Sequence, residues 1–314
     1  MPDLLLIGDA AEDMMARVGE AFTIHRDDDI GDISVWLTDN SAAITHILTN
    51  GHDGVPPVVM AGLSNLQMIS CYGVGYDAID APEAARRGII VTHTPDVLNG
   101  EVASTAVLLM LACFRELLRD EAYVRSGEWE ARGNAPLTRT ADNRTVGILG
   151  MGRIGQEIAA KLAPWKPTIL YHARSDKDVP YQYCNDLAEM ARRADVLICT
   201  TPGGDDTRHL VSADVIDALG TNGTLINVSR GTVIDEAAMI DALEAGRLGW
   251  AGLDVFETEP HVPARLRKLK NVVLLPHVGS ATVETRAAMG ALTVDNLLQH
   301  LKDGTVLTPV PECQ

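Results

Sequence analysis

The chain has 314 residues, of which 46% are hydrophobic and 22% charged, a composition typical of a soluble globular protein long enough for two domains. Its formal net charge of −17 makes nucleic acid and anionic membrane surfaces unfavourable partners. We expect a cytoplasmic protein with reduced thiols and no metal site, because the five cysteines form no C-x-x-C pair, the N-terminus lacks a basic start and no apolar run reaches membrane-spanning length.

The first 99 residues alternate between strand-like and turn-rich segments, which predicts an α/β domain. Four apolar runs suit strands, at residues 4–7, 43–48, 67–70 and 88–91. One long helix is predicted over residues 102–119. The polar segment that follows, residues 126–143, is predicted to be a loop or projecting arm.

The segment Thr145-Val-Gly-Ile-Leu-Gly-Met-Gly-Arg-Ile-Gly-Gln156 predicts a strand, a tight turn and the start of a helix. Its three glycines have G-x-G-x-x-G spacing. Gly150 permits the turn, Gly152 lets the backbone approach a pyrophosphate, and Gly155 lets the helix pack against the strand. A bare fingerprint is weak, but this context favours a dinucleotide site, with Arg153 and Ile154 inside it, over a purely structural turn.

From residue 145 the pattern is regular, with strands predicted at 145–149, 168–171, 196–199, 224–228, 249–254 and 272–275. Helical patterns lie between most of them, as at 154–162, 214–219 and 235–245. Six strands with intervening helices indicate a doubly wound parallel sheet. A last helix, over about 282–301, is predicted to cross back to the first domain. The predicted fold is therefore α/β, with two Rossmann-like or flavodoxin-like domains and a discontinuous first domain.

The end of the second of these strands bears on the choice of cofactor. A carboxylate about 20 residues past the glycines usually holds the adenosine ribose hydroxyls, and here that position falls on Ala173, followed by Arg174 and Ser175. A cation and a hydroxyl would bind a 2′-phosphate, which a carboxylate would repel, so we predict NADPH. A solvated loop arginine is the alternative, and Asp176 leaves use of NADH open.

Three more segments follow predicted strands: Asn227-Val-Ser-Arg-Gly-Thr-Val-Ile-Asp235, Ala251-Gly-Leu-Asp-Val-Phe-Glu-Thr-Glu-Pro260 and Leu275-Pro-His-Val-Gly-Ser280. Doubly wound sheets bind ligands at the carboxyl ends of their strands. These segments would bring an arginine, a carboxylate and a histidine together at the nicotinamide. Each residue alone could be structural, but their joint order behind a nucleotide fold favours catalysis.

With Ser70-Cys-Tyr-Gly-Val-Gly-Tyr-Asp-Ala-Ile-Asp80 and His93-Thr-Pro-Asp-Val-Leu-Asn99, these motifs resemble the D-isomer-specific 2-hydroxyacid dehydrogenases over nearly the whole chain. The resemblance implies a substrate-binding domain over residues 1–99, an NAD(P)-binding domain over 100–284 and a returning helix over 285–314. It implies that Arg230 contacts the substrate carboxylate and carbonyl oxygen, that His277 is the general acid of reduction, and that Glu259 orients that imidazole and favours its protonated form.

The resemblance also implies binding contacts. Val74 and Gly75 would offer backbone amides to the substrate carboxylate, and Asp254 would hold the nicotinamide carboxamide. The other cofactor contacts that it implies are Thr201, Pro202, Val228, His277 and Gly279.

Within the family, the chain is most similar to the glyoxylate/hydroxypyruvate reductase branch, judged from the expected NADPH use, Ser126-Gly-Glu-Trp129, residues 286–290 and an end at Gln314 without a regulatory extension. The loop 49–54 is expected to line the substrate's side-chain pocket, and a bulkier aryl-pyruvate stays open. The alternatives are an NAD-dependent D-lactate-type or phosphoglycerate dehydrogenase and a dinucleotide-sensing, corepressor-like binding protein. A homodimer is expected, in which Trp129 either reaches the partner's active site or is an ordinary packing residue.

Overall fold

The computed structural model describes all 314 residues, which fold into two compact units. Unit 1 comprises residues 1–98 and 281–314, and unit 2 comprises residues 99–280. These boundaries fall one and four residues before the predicted ones, which were placed after residues 99 and 284. None of the helices combines the length and the apolar composition that crossing a membrane requires.

Unit 1 is built on a parallel sheet of five strands in the order β2-β1-β3-β4-β5. The strands are β1 (Asp3–Leu6), β2 (Thr23–Arg26), β3 (Ile44–Asn50), β4 (Met68–Tyr72) and β5 (Ile90–Thr92), and the helices between them are α1 (Glu12–Gly19), α2 (Ile33–Asn40), α3 (Pro57–Gly62) and α4 (Ala81–Arg86). The interior strands read as apolar runs because both faces of a parallel sheet are covered by helices. Strand β2 was not predicted, because it is an edge strand without a buried residue.

Unit 2 begins with three helices, α5 (Asn99–Phe114), α6 (Leu117–Arg125) and α7 (Glu128–Arg132). The prediction of one helix over residues 102–119 is wrong, because the chain breaks at Glu116, which has a φ of 43°. Helix α5 is held by ten buried side chains and ends at Phe114, whereas α6 has none to continue that packing. The prediction of an irregular segment at 126–143 is also wrong in part, since α7 lies inside it.

The sheet of unit 2 has seven parallel strands in the order β12-β11-β10-β9-β6-β7-β8. They are β6 (Thr145–Leu149), β7 (Thr168–His172), β8 (Gln182–Tyr183), β9 (Val196–Cys199), β10 (Thr224–Asn227), β11 (Trp250–Leu253) and β12 (Val272–Leu274); the helices are α8 (Arg153–Leu162), α9 (Leu187–Arg193), α10 (Ala213–Leu219) and α11 (Glu236–Glu244). Chain order reverses beside β6, so the glycine turn lies at a topological switch point, where such sheets bind ligands. The two-residue edge strand β8 was not predicted.

The last helix, α12 (Val283–Asp303), belongs to unit 1. Its first turn is capped by the Thr282 side chain, which accepts a hydrogen bond from the amide of Thr285. The helix packs against β4, where the Ser70 hydroxyl donates to the carbonyl of Thr293 at 3.0 Å. Val294 and Leu297 are fully buried in the same apolar cluster as Leu4 of β1. The first and last parts of the chain therefore form one core.

Candidate active site

The glycine turn between β6 and α8 is tight where it packs and open where a ligand would lie. Gly150 has a φ of 101°, and a Cβ there would be 2.9 Å from the Thr200 hydroxyl oxygen. A Cβ on Gly155 would be 2.2 Å from the Gly150 carbonyl oxygen, whereas one on Gly152 would meet no atom within 4 Å. No side chain caps the helix start that follows Gly152, at Arg153 and Ile154. This environment fits a pyrophosphate against backbone amides.

A second sign of a ligand lies after the neighbouring strand β9. The hydroxyl oxygen of Thr201 is buried without a hydrogen-bond partner, and buried polar atoms of this kind are rare unless something outside the chain satisfies them. Pro202 follows, and its carbonyl oxygen accepts a hydrogen bond from Thr207 at 2.8 Å. The residues around the glycine turn therefore fit a dinucleotide cofactor.

Asp254, directly after β11, joins two of the predicted site segments. The residue is 2% exposed, and its two carboxylate oxygens accept hydrogen bonds from the amides of Val278 and Gly279, each at 2.7 Å. Its backbone carbonyl accepts from the amide of His277 at 2.8 Å. Burial raises the pKa of the Asp254 carboxyl, although the two amide hydrogen bonds oppose this. A Cβ on Gly279 would lie 2.8 Å from the same carboxylate, so glycine keeps this contact close.

Glu259 and His277 form the charged pair of the site. The Nδ1 atom of His277 lies 2.7 Å from Oε2 of Glu259, and the other carboxylate oxygen accepts from the amide of Phe256 at 2.9 Å. The His277 side chain stays 44% exposed, whereas that of Glu259 is 19% exposed. The carboxylate therefore fixes one ring nitrogen, which leaves Nε2 as the nitrogen able to exchange a proton with a ligand.

Arg230 follows β10 on a loop that Asn227 organises. The Asn227 side chain, in a residue 1% exposed, donates to the Arg230 carbonyl at 2.9 Å and accepts from the amide and hydroxyl of Ser229 at 3.0 and 2.7 Å. The Arg230 guanidinium donates to the Ser229 carbonyl at 2.8 Å. Val228, the residue between, packs against an apolar cluster of the unit.

The Arg230 loop and the Glu259 loop interlock. A Cβ on Gly231 would lie 1.9 Å from the carbonyl carbon of Phe256, so only glycine permits this approach of two backbones. Glu257 anchors the second loop, since its carboxylate accepts from the Arg208 guanidinium at 2.6 Å and pairs with the His209 ring at 2.9 Å. The sheet thus places Arg230, Asp254, Glu259 and His277 on connected loops at the ends of three adjacent strands.

The residues predicted to select the cofactor follow β7. Ala173 is half-buried, and Arg174 and Ser175 are exposed. Asp176, which left use of NADH open, directs its carboxylate to the Tyr171 hydroxyl and to the Lys177 amide.

In unit 1, the amides of Val74 and Gly75 have no hydrogen-bond partner, while the carbonyl oxygen of Val74 pairs with the His93 ring at 2.9 Å. The loop after β3 is organised by Asn50, whose side-chain oxygen accepts from the amides of His52 and Asp53 at 2.8 and 2.9 Å. These loops lie at the carboxyl ends of β4 and β3, the expected ligand-binding edge of the sheet.

Sequence reasoning gave no role to several side chains that shape these loops. Asn227 lay inside a quoted motif, and its place directly after a strand, where asparagine often hydrogen-bonds the backbone of a turn, was the available signal. Glu257, Arg208, Tyr171 and Lys177 carried no such signal. Trp129, for which packing and a reach into a partner's active site are the two alternatives, is 58% exposed on its own chain.

The chain matches a protein-family model and is similar in sequence to known reductases. The family model described as "D-isomer specific 2-hydroxyacid dehydrogenase, NAD binding domain" matches residues 107–279. The chain is 45% identical over 278 residues to a glyoxylate/hydroxypyruvate reductase of Arabidopsis thaliana, with 88% of each chain covered, and 41% identical over 312 residues to the 2-ketogluconate reductase of Gluconobacter oxydans, with 98% of each covered.

Among solved structures, the NADPH-dependent glyoxylate/hydroxypyruvate reductase of Sinorhizobium meliloti, in complex with NADP and malonate, superposes with a TM-score of 0.92 at 42% identity. That match covers 99% of this chain and 97% of the other. A 2-hydroxyacid dehydrogenase of Ketogulonicigenium vulgare also gives a TM-score of 0.92, at 44% identity over 98% of each chain.

Proposed function

The chain belongs to the D-isomer-specific 2-hydroxyacid dehydrogenases, which are NAD(P)-dependent enzymes, and we propose that it reduces small 2-oxo acids such as glyoxylate and hydroxypyruvate to D-2-hydroxy acids with NADPH. The observation that carries this proposal is the 2.7 Å pair between Glu259 and His277, held at the same sheet edge as the glycine turn. A proton donor with a fixed ring orientation is what reduction of a carbonyl needs beside a bound nicotinamide.

In this proposal, one set of residues binds the cofactor and another transfers the proton. The glycine turn, Thr201 and Asp254 would hold the nicotinamide dinucleotide, which supplies the hydride. The Nε2 atom of His277 gives a proton to the substrate's carbonyl oxygen as negative charge develops there, and takes it back in the reverse direction. Glu259 keeps Nδ1 engaged and stabilises the imidazolium by its negative charge.

Arg230 binds the substrate's carboxylate and polarises its carbonyl, because a guanidinium matches the two oxygens of a 2-oxo acid and stabilises developing charge. In unit 1, the unpaired amides of Val74 and Gly75 are suited to donate hydrogen bonds to a carboxylate. The overall charge of −17 makes such local donors necessary for an anionic substrate.

Two observations support the preference for NADPH. Arg174 and Ser175 offer a cation and a hydroxyl at the predicted adenosine end, and Asp176 is engaged by its own chain. The similar reductase of Sinorhizobium meliloti is described as NADPH-dependent.

A substrate panel with both cofactors tests the proposal. Oxidation of NADPH is followed with glyoxylate, hydroxypyruvate, pyruvate, phenylpyruvate, 4-hydroxyphenylpyruvate and 2-ketogluconate, the last two because similar proteins are named for them. We expect the highest kcat/KM with glyoxylate or hydroxypyruvate and NADPH. Turnover of none of these acids would refute the enzymatic proposal, and a strong preference for NADH would refute the cofactor assignment.

We also propose a homodimer. The large apolar side chains that unit 2 exposes all fall between residues 108 and 137: Leu108, Leu117, Leu118, Val124, Trp129 and Leu137. Exposed apolar side chains concentrated in one segment of the chain, here α5, α6 and the following arm, are typical of a region that a second copy covers. Light scattering after size exclusion should give twice the mass of one chain, and Leu118→Glu should lower it; a monomeric wild-type mass would refute the dimer.

A further inference from the structure

Tyr171, the penultimate residue of β7, has a hydrogen-bonding role that the reaction proposed above does not use. Tyr171 is fully buried, and its hydroxyl donates a hydrogen bond to the Asp176 carboxylate. The same oxygen accepts a hydrogen bond from the Lys177 amide at 2.8 Å and lies 3.2 Å from the Lys177 carbonyl oxygen. A phenol is protonated near neutral pH, so this donor persists under working conditions.

The Asp176 carboxylate is therefore held by hydrogen bonds from its own chain. The carboxylate oxygen that takes the Tyr171 hydroxyl also accepts from the Lys177 amide at 2.8 Å. The ring of Tyr183 on β8 lies 5.4 Å from that of Tyr171 and its hydroxyl donates to the Ala173 carbonyl at 3.3 Å, so the start of the loop is held as well. The loop 173–177 is thus held at its start and its end, although the side chains of residues 174–177 are exposed.

The Lys177 side chain extends back along this loop to Ser175, which is predicted to contact the cofactor. Its Nζ atom lies 3.2 Å from the Ser175 hydroxyl oxygen, so an ammonium group and a hydroxyl group adjoin within one hydrogen bond. Two donors this close can bind oxygens of one phosphate group together. Their hydrogen bonds to the diol of an unphosphorylated ribose would be weaker, because the diol carries no negative charge.

We propose that Lys177 is a ligand of the cofactor's 2′-phosphate beside Ser175, and that Tyr171 is a positioning residue that holds the Asp176 carboxylate away from that phosphate. This rests on the proposed use of NADPH and adds two residues to it. Tyr171 acts on cofactor choice without touching the cofactor, because an untied carboxylate on this loop would repel a dianionic phosphate.

Binding of adenosine fragments to the intact protein tests this without turnover. Isothermal titration calorimetry compares 2′,5′-ADP, which carries the 2′-phosphate, with 5′-AMP, which does not. We expect the wild type to bind 2′,5′-ADP at least about tenfold more tightly, and Lys177→Met to lower that affinity about fivefold with little change for 5′-AMP. Lys161→Gln, a lysine of α8 paired with Glu157, is the matched control and should change neither.

The role of Tyr171 is tested by rescue. Tyr171→Phe should weaken 2′,5′-ADP binding at least about threefold, and adding Asp176→Asn should restore it, because the side chain that Tyr171 no longer holds is then a neutral amide that does not repel the phosphate. Asp178→Asn in the Tyr171→Phe background is the control and should restore nothing. A loss that Asp176→Asn does not relieve overturns the positioning role, and equal losses for both probes in Lys177→Met overturn the phosphate contact. Equal wild-type affinity for both probes would instead refute the NADPH preference itself, and this inference with it.

Discussion

Protonation of a buried histidine is expected to make unit 1 sensitive to acid. His46 on β3 is 2% exposed, with Nδ1 at 2.8 Å from the Thr45 hydroxyl and Nε2 at 2.9 Å from Nδ1 of His300 on α12. Burial, and then the neighbouring His300, lower the pKa of His46 from 6.5 to about 4. The pKa of His300 is lowered as well, by burial. A proton on either ring is therefore taken up more readily by the unfolded chain.

The direction in which stability changes with pH follows from proton linkage. Above pH 6.5 both states carry a neutral His46 and its contribution to stability is fully present; between pH 6.5 and about 4 only the unfolded state binds the proton, so stability falls as pH falls. With these two pKa values the loss attributable to His46 is about 2 kcal/mol at pH 5 and approaches about 3 kcal/mol at lower pH.

The measurement is urea unfolding of wild type and His46→Leu at pH 7.5 and pH 5, followed by circular dichroism and by amide exchange in β3. The His46→Leu variant should be less stable than wild type at pH 7.5, because it loses the contact with His300. On acidification to pH 5, however, its free energy of unfolding should fall by about 2 kcal/mol less than that of wild type. His52→Gln, which removes an exposed histidine, should keep the wild-type difference. An equal acid loss in wild type and His46→Leu would refute the reasoning.

The remaining predictions concern the site. His277→Ala should lower kcat by about 10²–10⁴ while the cofactor Kd stays nearly unchanged, and an unchanged kcat would mean that the proton donor is another group. Glu259→Gln should lower kcat about 10–100-fold, the equivalent of about 1.5–3 kcal/mol for a charged hydrogen bond; full activity would show that the carboxylate charge is not needed. Arg174→Asp should reverse the ratio of kcat/KM for NADPH over NADH, and an unaltered ratio would place the 2′-phosphate elsewhere. Asn227→Ala should raise the KM for the 2-oxo acid more than that for the cofactor, because it frees the Arg230 loop; equal changes in both KM values would contradict that role.

The sequence was most informative where one local pattern determines the structure. The glycine fingerprint predicted the turn after β6, since each glycine has its own steric reason there. The apolar runs of buried strands were equally clear, whereas edge strands β2 and β8 were missed because they bury little. The break at Glu116 depends on where the packing of α5 ends, which no local signal shows.

Pairs that join distant segments were beyond sequence reasoning for a related reason. His46 and His300 are 254 residues apart, and nothing in either neighbourhood indicates the other. The pair formed by Glu259 and His277 was predicted only because the whole motif order resembles a known family. Hydrogen bonds of side chains such as Tyr171 depend on rotamers and burial, which appear only once the backbone is in place.

The division of unit 1 along the chain has a consequence for biosynthesis. One face of its sheet is closed by Val294 and Leu297 of α12, which the ribosome makes only after all of residues 99–280. The contiguous unit 2 is therefore complete in sequence before α12 is made, whereas Leu4, Leu48 and Met68 have only the partial cover that Met14 and Val18 of α1 provide. The nascent protein is expected to depend on chaperones mainly through this early, partly covered portion of unit 1.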